Sequence, residues 1–147
     1  IPLTIVCRMK IEKKLDYIDS SWLNIQHWNN SQIQKQYSKF KIAIIPLEKS
    51  KYHEFALPFK LFEYASFGLP IAASDNYEQI KLIEENKLGI NIGSTVESFS
   101  IKIVEFYNDT KSLNEFHQNS IKFIEHKGLW EHRVSTIIKQ FREQNGG

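Results

Sequence analysis

Ile42-Ala43-Ile44-Ile45-Pro46-Leu47, followed after a loop over 48–57 by Pro58-Phe59-Lys60-Leu61-Phe62-Glu63-Tyr64-Ala65-Ser66-Phe67-Gly68-Leu69-Pro70-Ile71-Ala72-Ala73, decides the fold. The first run is too short for a buried helix and too apolar for a surface strand. It reads as a central parallel strand that ends at Pro46. Pro58 suits the first position of a helix, where its missing N–H costs nothing, and Gly68 suits the position just past a helix end. Between them Leu61, Phe62 and Ala65 make a core-facing stripe. Leu69 to Ala73 is the next strand, and Ser74-Asp75-Asn76 a polar turn.

Outward from this unit the alternation continues. Leu3 to Cys7 reads as a buried strand, and Ile11, Leu15 and Ile18 space a short amphipathic helix over 8–19. Leu23 to Trp28 alternates like a second strand. Ser31 is the expected N-cap of a helix carrying Ile33, Tyr37 and Phe40. Downstream, a helix over 78–86 precedes a short strand over 88–92. Ser94-Thr95-Val96-Glu97 has the pattern of a capping box opening a helix with Phe99, Ile103 and Phe106. A helix from about 110 to Lys127 stops at Gly128, and a last one over 129–143 carries Trp130, Val134, Ile137, Ile138 and Phe141. Strands alternating with helices predict an α/β fold: a Rossmann-like parallel sheet with helices on both faces, closing with C-terminal helices, as one domain over 1–147.

Composition narrows the function. The 147 residues carry 19 Lys+Arg against 17 Asp+Glu, a net +2, which argues against a nucleic-acid binder, since neutralising phosphates needs an excess of cations on one face. With 41% hydrophobic and 24% charged residues the chain is an ordinary globular one. The single cysteine, Cys7, cannot form an internal disulfide, which points to a reducing cytoplasm, and no apolar run approaches the ~20 residues of a membrane span. The five histidines (His27, His53, His117, His126, His132) show neither HxxxH nor HExxH spacing, so no metal site is expected. Phe62, Phe99, Phe106, Phe123 and Phe141 fall at helical core spacing and are expected to pack rather than to stack on bases.

In a parallel α/β sheet the ligand crevice lies beyond the carboxyl ends of the strands, and Pro46 to Glu63 spans such a place. The helix that starts at Pro58 would offer unpaired N–H groups around Phe59, Lys60 and Leu61, an arrangement that favours an anion. Lys60 in the first turn opposes the helix dipole, yet serves if an anion is to be held. Glu63, three residues on, shares its face and is placed to accept hydrogen bonds from ribose hydroxyls. Together they imply a nucleoside diphosphate. The same residues also fit ordinary helix punctuation with a solvated Lys–Glu pair.

The pattern Pro58-x-Lys60-x-x-Glu63-Tyr64-x-x-x-Gly68-x-Pro70, with Ile71-Ala72-Ala73-Ser74 after it, resembles the signature of group 1 retaining glycosyltransferases of the GT-B fold, in their C-terminal, nucleotide-sugar-binding domain. Similarity extends over nearly the whole chain. Asn24 to Trp28 resembles the strand leading to the base pocket, which assigns His27 to the nucleotide, and Phe123 to Phe141 resembles the family's closing helices. The resemblance implies that Leu57, Pro58, Phe59 and Lys60 face the donor phosphates, that Glu63 binds the ribose, and that Glu54 and Lys60 are catalytic. Phe55 stands where the family's Glu-x7-Glu pattern has its first Glu; Glu54 is one residue early, with His53 as a second polar candidate.

The implied substrate is a nucleoside-diphosphate sugar, with no cofactor and no metal, in cytoplasmic assembly of a cell-surface polysaccharide. The family's diphosphate-clamping Gly-Arg segment and Lys have no counterpart here, and Arg8 and Lys10 read as solvated substitutes. The start on Ile1-Pro2-Leu3, without Met, leads us to expect a piece of a longer protein whose N-terminal acceptor domain is this chain's partner. Peripheral membrane contact of that longer protein is left open. The alternative is a non-catalytic, doubly wound protein-interaction or regulatory module.

Overall fold

A computed structural model of the protein describes residues 1–6 and 20–145. The helix expected over 8–19, and with it Cys7, Arg8 and Lys10, lies outside the described residues. The chain divides into two compact units, Ile1–Phe40 and Lys41–Gly147. The expected strands form two small parallel sheets flanked by helices, one of two strands and one of three.

In the first unit β1 (Leu3–Val6) and β2 (Leu23–Gln26) pair in parallel, Leu3 opposite Leu23 and Val6 opposite Gln26. Helix α1 (Asn30–Gln34) is capped by Asn29, not by Ser31. The Gln32 N–H donates to Asn29 Oδ1, and the Asn29 N–H donates to Gln32 Oε1, both at 2.9 Å, so two orphan donors are satisfied by one reciprocal pair. The expected continuous stripe is broken after Gln34. Tyr37–Lys39 forms a separate 3₁₀ turn, and the Tyr37 and Phe40 rings meet edge to face at 6.4 Å.

In the second unit β3 (Ala43–Ile45), β4 (Ile71–Ser74) and β5 (Gly89–Gly93) are parallel and lie in the order β3-β4-β5. Ala43 is opposite Ile71, and Ile71 opposite Gly89. The middle strand is therefore β4, buried at all four positions; β3, expected to be central, pairs with β4 alone among the described residues. Its ladder stops at Pro46, which has no N–H to donate.

Side chains alternate across this sheet with the period of two that a strand dictates. Ile45, Ile71 and Ala73 pack on one face with Leu61 and Ala65 of α3 (Phe59–Ser66), Ile80 and Ile83 of α4 (Tyr77–Glu85), and Phe123. Ala72 and Ile92 pack on the other face with Ile103 and Phe106 of α5 (Val96–Asn108) and Leu113 of α6 (Thr110–Phe123). Phe62 and Phe99 sit at the margins of the two clusters as spacing predicts. Both faces of the three-stranded sheet are thus covered, as parallel strands require.

Helix boundaries follow local chemistry. Pro58 is the N-cap of α3, one residue earlier than its expected place as the first helical residue. The far end agrees with expectation. Gly68, at φ +67°, donates to the Ala65 carbonyl and the Leu69 N–H to the Tyr64 carbonyl, at 2.9 and 3.0 Å, a Schellman closure that a left-handed glycine makes cheap. The Thr95 hydroxyl, not Ser94, caps α5 by accepting from the Ser98 N–H. The expected loop over 48–57 contains a helical turn, α2 (Lys51–Glu54), capped by Ser50.

Helix α6 runs through a wide π turn, Ile124–Gly128, before α7 (Trp130–Asn145). The stripe on α7 was expected to face a core. Instead Val134, Ile137 and Ile138 are 48%, 63% and 45% exposed. Phe141, expected in a core from its spacing, is 67% exposed.

Candidate functional site

Strand β3 ends at Ile45, and α3 begins only at Phe59, so the segment between them and the first turn of α3 stand at the carboxyl edge of the sheet. Pro58 has no side chain able to cap α3, and none does so. Its carbonyl accepts from the Leu61 N–H at 3.0 Å. The donors left to face a ligand are therefore those of Phe59 and Lys60, a narrower set than the sequence suggests. Phe59 is 71% exposed, and Leu57 and Pro58 are half-buried.

The structure brings Lys60 and Glu63 together. Lys60 Nζ is 2.6 Å from Glu63 Oε2, and the lysine side chain keeps 52% of its exposure against 20% for the glutamate. One turn of helix places them on one face, as i,i+3 spacing dictates. Lys60 Nζ also stands 5.9 Å from the centre of the Tyr64 ring. Burial raises the Tyr64 phenol above its ordinary pKa, and the neighbouring Glu63 carboxylate adds to the shift. A cation, a carboxylate and a phenol are thus gathered at the start of one helix.

Glu54 closes α2 and is half-buried, while Phe55, at the position of the family's first Glu, is 77% exposed. His53 Nδ1 lies 2.6 Å from the Glu48 carbonyl oxygen, a contact that folds the loop back on itself. His27 belongs to the first unit, where it lines a depression of about 550 Å³ with Trp28, Asn29, Asn30 and Ser31.

Sequence reasoning missed a buried polar cluster on the same edge of the sheet. Ser74, Asn76 and Gln79 are 6%, 1% and 0% exposed. The Ser74 hydroxyl donates to the Leu47 carbonyl at 2.7 Å, Asn76 Nδ2 to Ser74 Oγ at 3.1 Å, and Gln79 Nε2 to the Ser74 carbonyl at 2.8 Å. Asn76 is the N-cap of α4, yet its side chain turns toward Ser74 rather than capping that helix. Asn76 Oδ1 and Gln79 Oε1 are buried without a hydrogen-bond partner among the described residues. The signal was present: Gln79 stands four residues before Ile83, a polar residue on the apolar face of α4. Beside the cluster, Asn91 Nδ2 donates to Asp75 Oδ1 at 3.1 Å and Asn91 Oδ1 accepts from the Gly93 N–H at 2.7 Å, bracing the irregular pairing of β4 with β5.

Among the described residues no three His, Cys, Asp or Glu side chains are grouped to hold a metal ion, and no helix is long and apolar enough to cross a membrane. No protein-family model matches the sequence, and a search of curated proteins finds none that matches it.

Proposed function

We propose that the chain is the nucleotide-sugar-binding part of a retaining glycosyltransferase of the GT-B fold, and that the longer protein transfers a sugar from a nucleoside diphosphate to a glycan or lipid-linked acceptor. The observation that carries this reading is the Lys60–Glu63 pair at the start of α3, on the carboxyl edge of a parallel sheet, within the segment that resembles the family's signature. In this scheme the uncapped N-terminus of α3 and Lys60 face the diphosphate, and Glu63 accepts from the ribose hydroxyls. As the sugar bond breaks, negative charge grows on the leaving diphosphate. Donors held in place before the reaction stabilise that charge without reorganising, often the largest single contribution to catalysis. Glu54 lies at the end of the preceding turn and is the carboxylate proposed for the sugar side. The acceptor comes from a second domain of the longer protein.

Thermal unfolding of the chain with UDP, GDP and ADP tests this reading, because a ligand that binds the folded state raises its apparent stability. A rise in Tm with one of the three supports the assignment and identifies the base; no rise with any of them contradicts it.

A second reading draws on the exposed apolar residues Val134, Ile137 and Ile138 of α7. Exposed apolar faces of this kind mark partner contacts, so a non-catalytic interaction module accounts for α7 directly. It gives no role to the Lys60–Glu63 pair, and the nucleotide screen separates the two.

A further inference from the structure

The segments that follow β3 and β4, residues 46–59 and 75–81, expose four large apolar side chains, and all four are aromatic. Tyr52, Phe55, Phe59 and Tyr77 are 79%, 77%, 71% and 65% exposed, whereas Val134, Ile137 and Ile138 on α7 are aliphatic. Contacts bring the two segments together. Tyr52 lies on α2 and Phe55 closes it, and α2 packs against α4, whose first residue is Tyr77. Lys49 Nζ, 3.7 Å from Asp75 Oδ2, ties the segments a second time. The backbone under Tyr52 is fixed by the Ser50 hydroxyl, which accepts from the His53 N–H, and by the contact of His53 with the Glu48 carbonyl. Tyr52 meets the His53 ring edge to face at 5.5 Å, and Lys81 Nζ stands 6.0 Å from the centre of the Tyr77 ring. Rings steadied in advance cost less to order when a ligand lands on them.

The charges beside the rings select the ligand. Lys49, Lys51 and Lys81 are set against Glu48, Glu54, Asp75 and Glu78, so the two segments carry no excess of cations. Anionic lipid and single-stranded nucleic acid both call for such an excess. A protein interface is depleted of charge at its core, whereas here a charged or polar residue flanks every ring. A pyranose suits both parts of this surface. Its C–H groups lie on the negative face of an aromatic ring, and its hydroxyls donate to carboxylates and accept from lysines. We infer that Tyr52, Phe55 and Tyr77 form a stacking platform for an oligosaccharide, and that the sugar rings of the acceptor, not a lipid tail, are what this chain recognises. Phe59, four residues beyond Phe55, continues the platform to the start of α3. The role as acceptor surface rests on the glycosyltransferase reading above; the stacking does not.

Saturation-transfer NMR on the full chain tests it with cellohexaose, maltohexaose, mannohexaose and N-acetylchitohexaose, in wild type and in Tyr52→Ala, Phe55→Ala and Tyr77→Ala. Stacking reads the C–H face that these sugars share, so at least one binds wild type, with transfer strongest at its ring C–H protons. Each substitution is expected to weaken that ligand about two- to tenfold. Because the three side chains are exposed, Tm stays at the wild-type value. Binding of none of the four, or binding that all three variants keep unchanged, overturns the platform. Sedimentation with phosphatidylglycerol vesicles runs in parallel, and vesicle binding lost in the same variants identifies a membrane face and overturns it too. Thermal unfolding with UDP, GDP and ADP separates the two readings. A nucleotide response without oligosaccharide binding leaves the donor site standing and removes the platform. Oligosaccharide binding without a nucleotide response keeps the platform and removes the donor site and the acceptor role.

Discussion

The Ser74 hydroxyl donates to the Leu47 carbonyl at 2.7 Å, a bond between the last residue of β4 and the chain just past β3. The amides of Asn76 and Gln79 close on the same serine, so the carboxyl ends of two strands are held together by side chains as well as by the ladder. That edge carries the proposed donor site, and its rigidity depends on this buried cluster.

Replacing Ser74 by alanine removes the hydroxyl that joins the Leu47 carbonyl to the Asn76 amide and leaves those two only their own long contact at 3.5 Å in a buried setting. The expected loss is about 1–3 kcal/mol of folding stability. Urea unfolding measures it, with a lower midpoint and unchanged slope expected; a midpoint equal to wild type would remove the cluster from the stability of this edge.

Gly89 lies against the backbone of β4. A Cβ there would stand 1.7 Å from the Ile71 carbonyl oxygen, and a backbone atom in the middle strand has no room to withdraw. Gly89→Ala should destabilise at or beyond the upper end of the about 1–3 kcal/mol usual for overpacking. Soluble expression and thermal unfolding check this, and a fully stable variant would show that β5 pairs with β4 in another register.

Lys87 presents the opposite case. It holds φ +48° where α4 closes, donating to Glu84 while the Leu88 N–H donates to the Ile83 carbonyl at 2.9 Å. A non-glycine residue in that region is strained. Lys87→Gly should stabilise by about 0.5–1 kcal/mol, since the exposed 3.6 Å contact with Glu115 contributes little. A drop in Tm would instead assign the Glu115 contact a larger share.

The raised pKa of Tyr64 fixes the sign of an alkaline effect. The folded state holds the phenol proton more tightly than the unfolded chain, so stability from this group is complete below the ordinary phenol range, near pH 10, and is lost as pH rises through the folded value. Tyr64→Phe should flatten the decline of Tm between pH 9 and about 11. An unchanged decline would mean that other groups cause it.

Much of this was legible in the sequence, for reasons specific to each element. The runs 42–47 and 69–73 are apolar at every turn of the pleat, which only a strand covered on both faces demands, and β3 and β4 fall there. Pro58 and Gly68 bracket α3 to within one residue because their backbone limits are local. Tertiary matters were not legible. Ser50 caps a turn, and nothing in the composition of 48–57 announces it. Val134, Ile137 and Ile138 on α7 have the spacing of a buried helix and stay largely exposed, because periodicity describes a face and not its neighbour. Lys60 and Glu63 could be placed on one face from their spacing. The Ser74–Asn76–Gln79 cluster could not be assembled that way, since its acceptor, Leu47, is 27 residues distant from Ser74.

The ribose assignment of Glu63 is tested most directly by titrating the preferred nucleoside diphosphate into wild type and Glu63→Ala in a calorimeter. Loss of a largely buried acceptor should weaken binding by about 1–3 kcal/mol, with the folded structure retained by circular dichroism. A Kd equal to that of wild type would contradict the assignment of Glu63 to the ribose and, with it, the donor site at the start of α3.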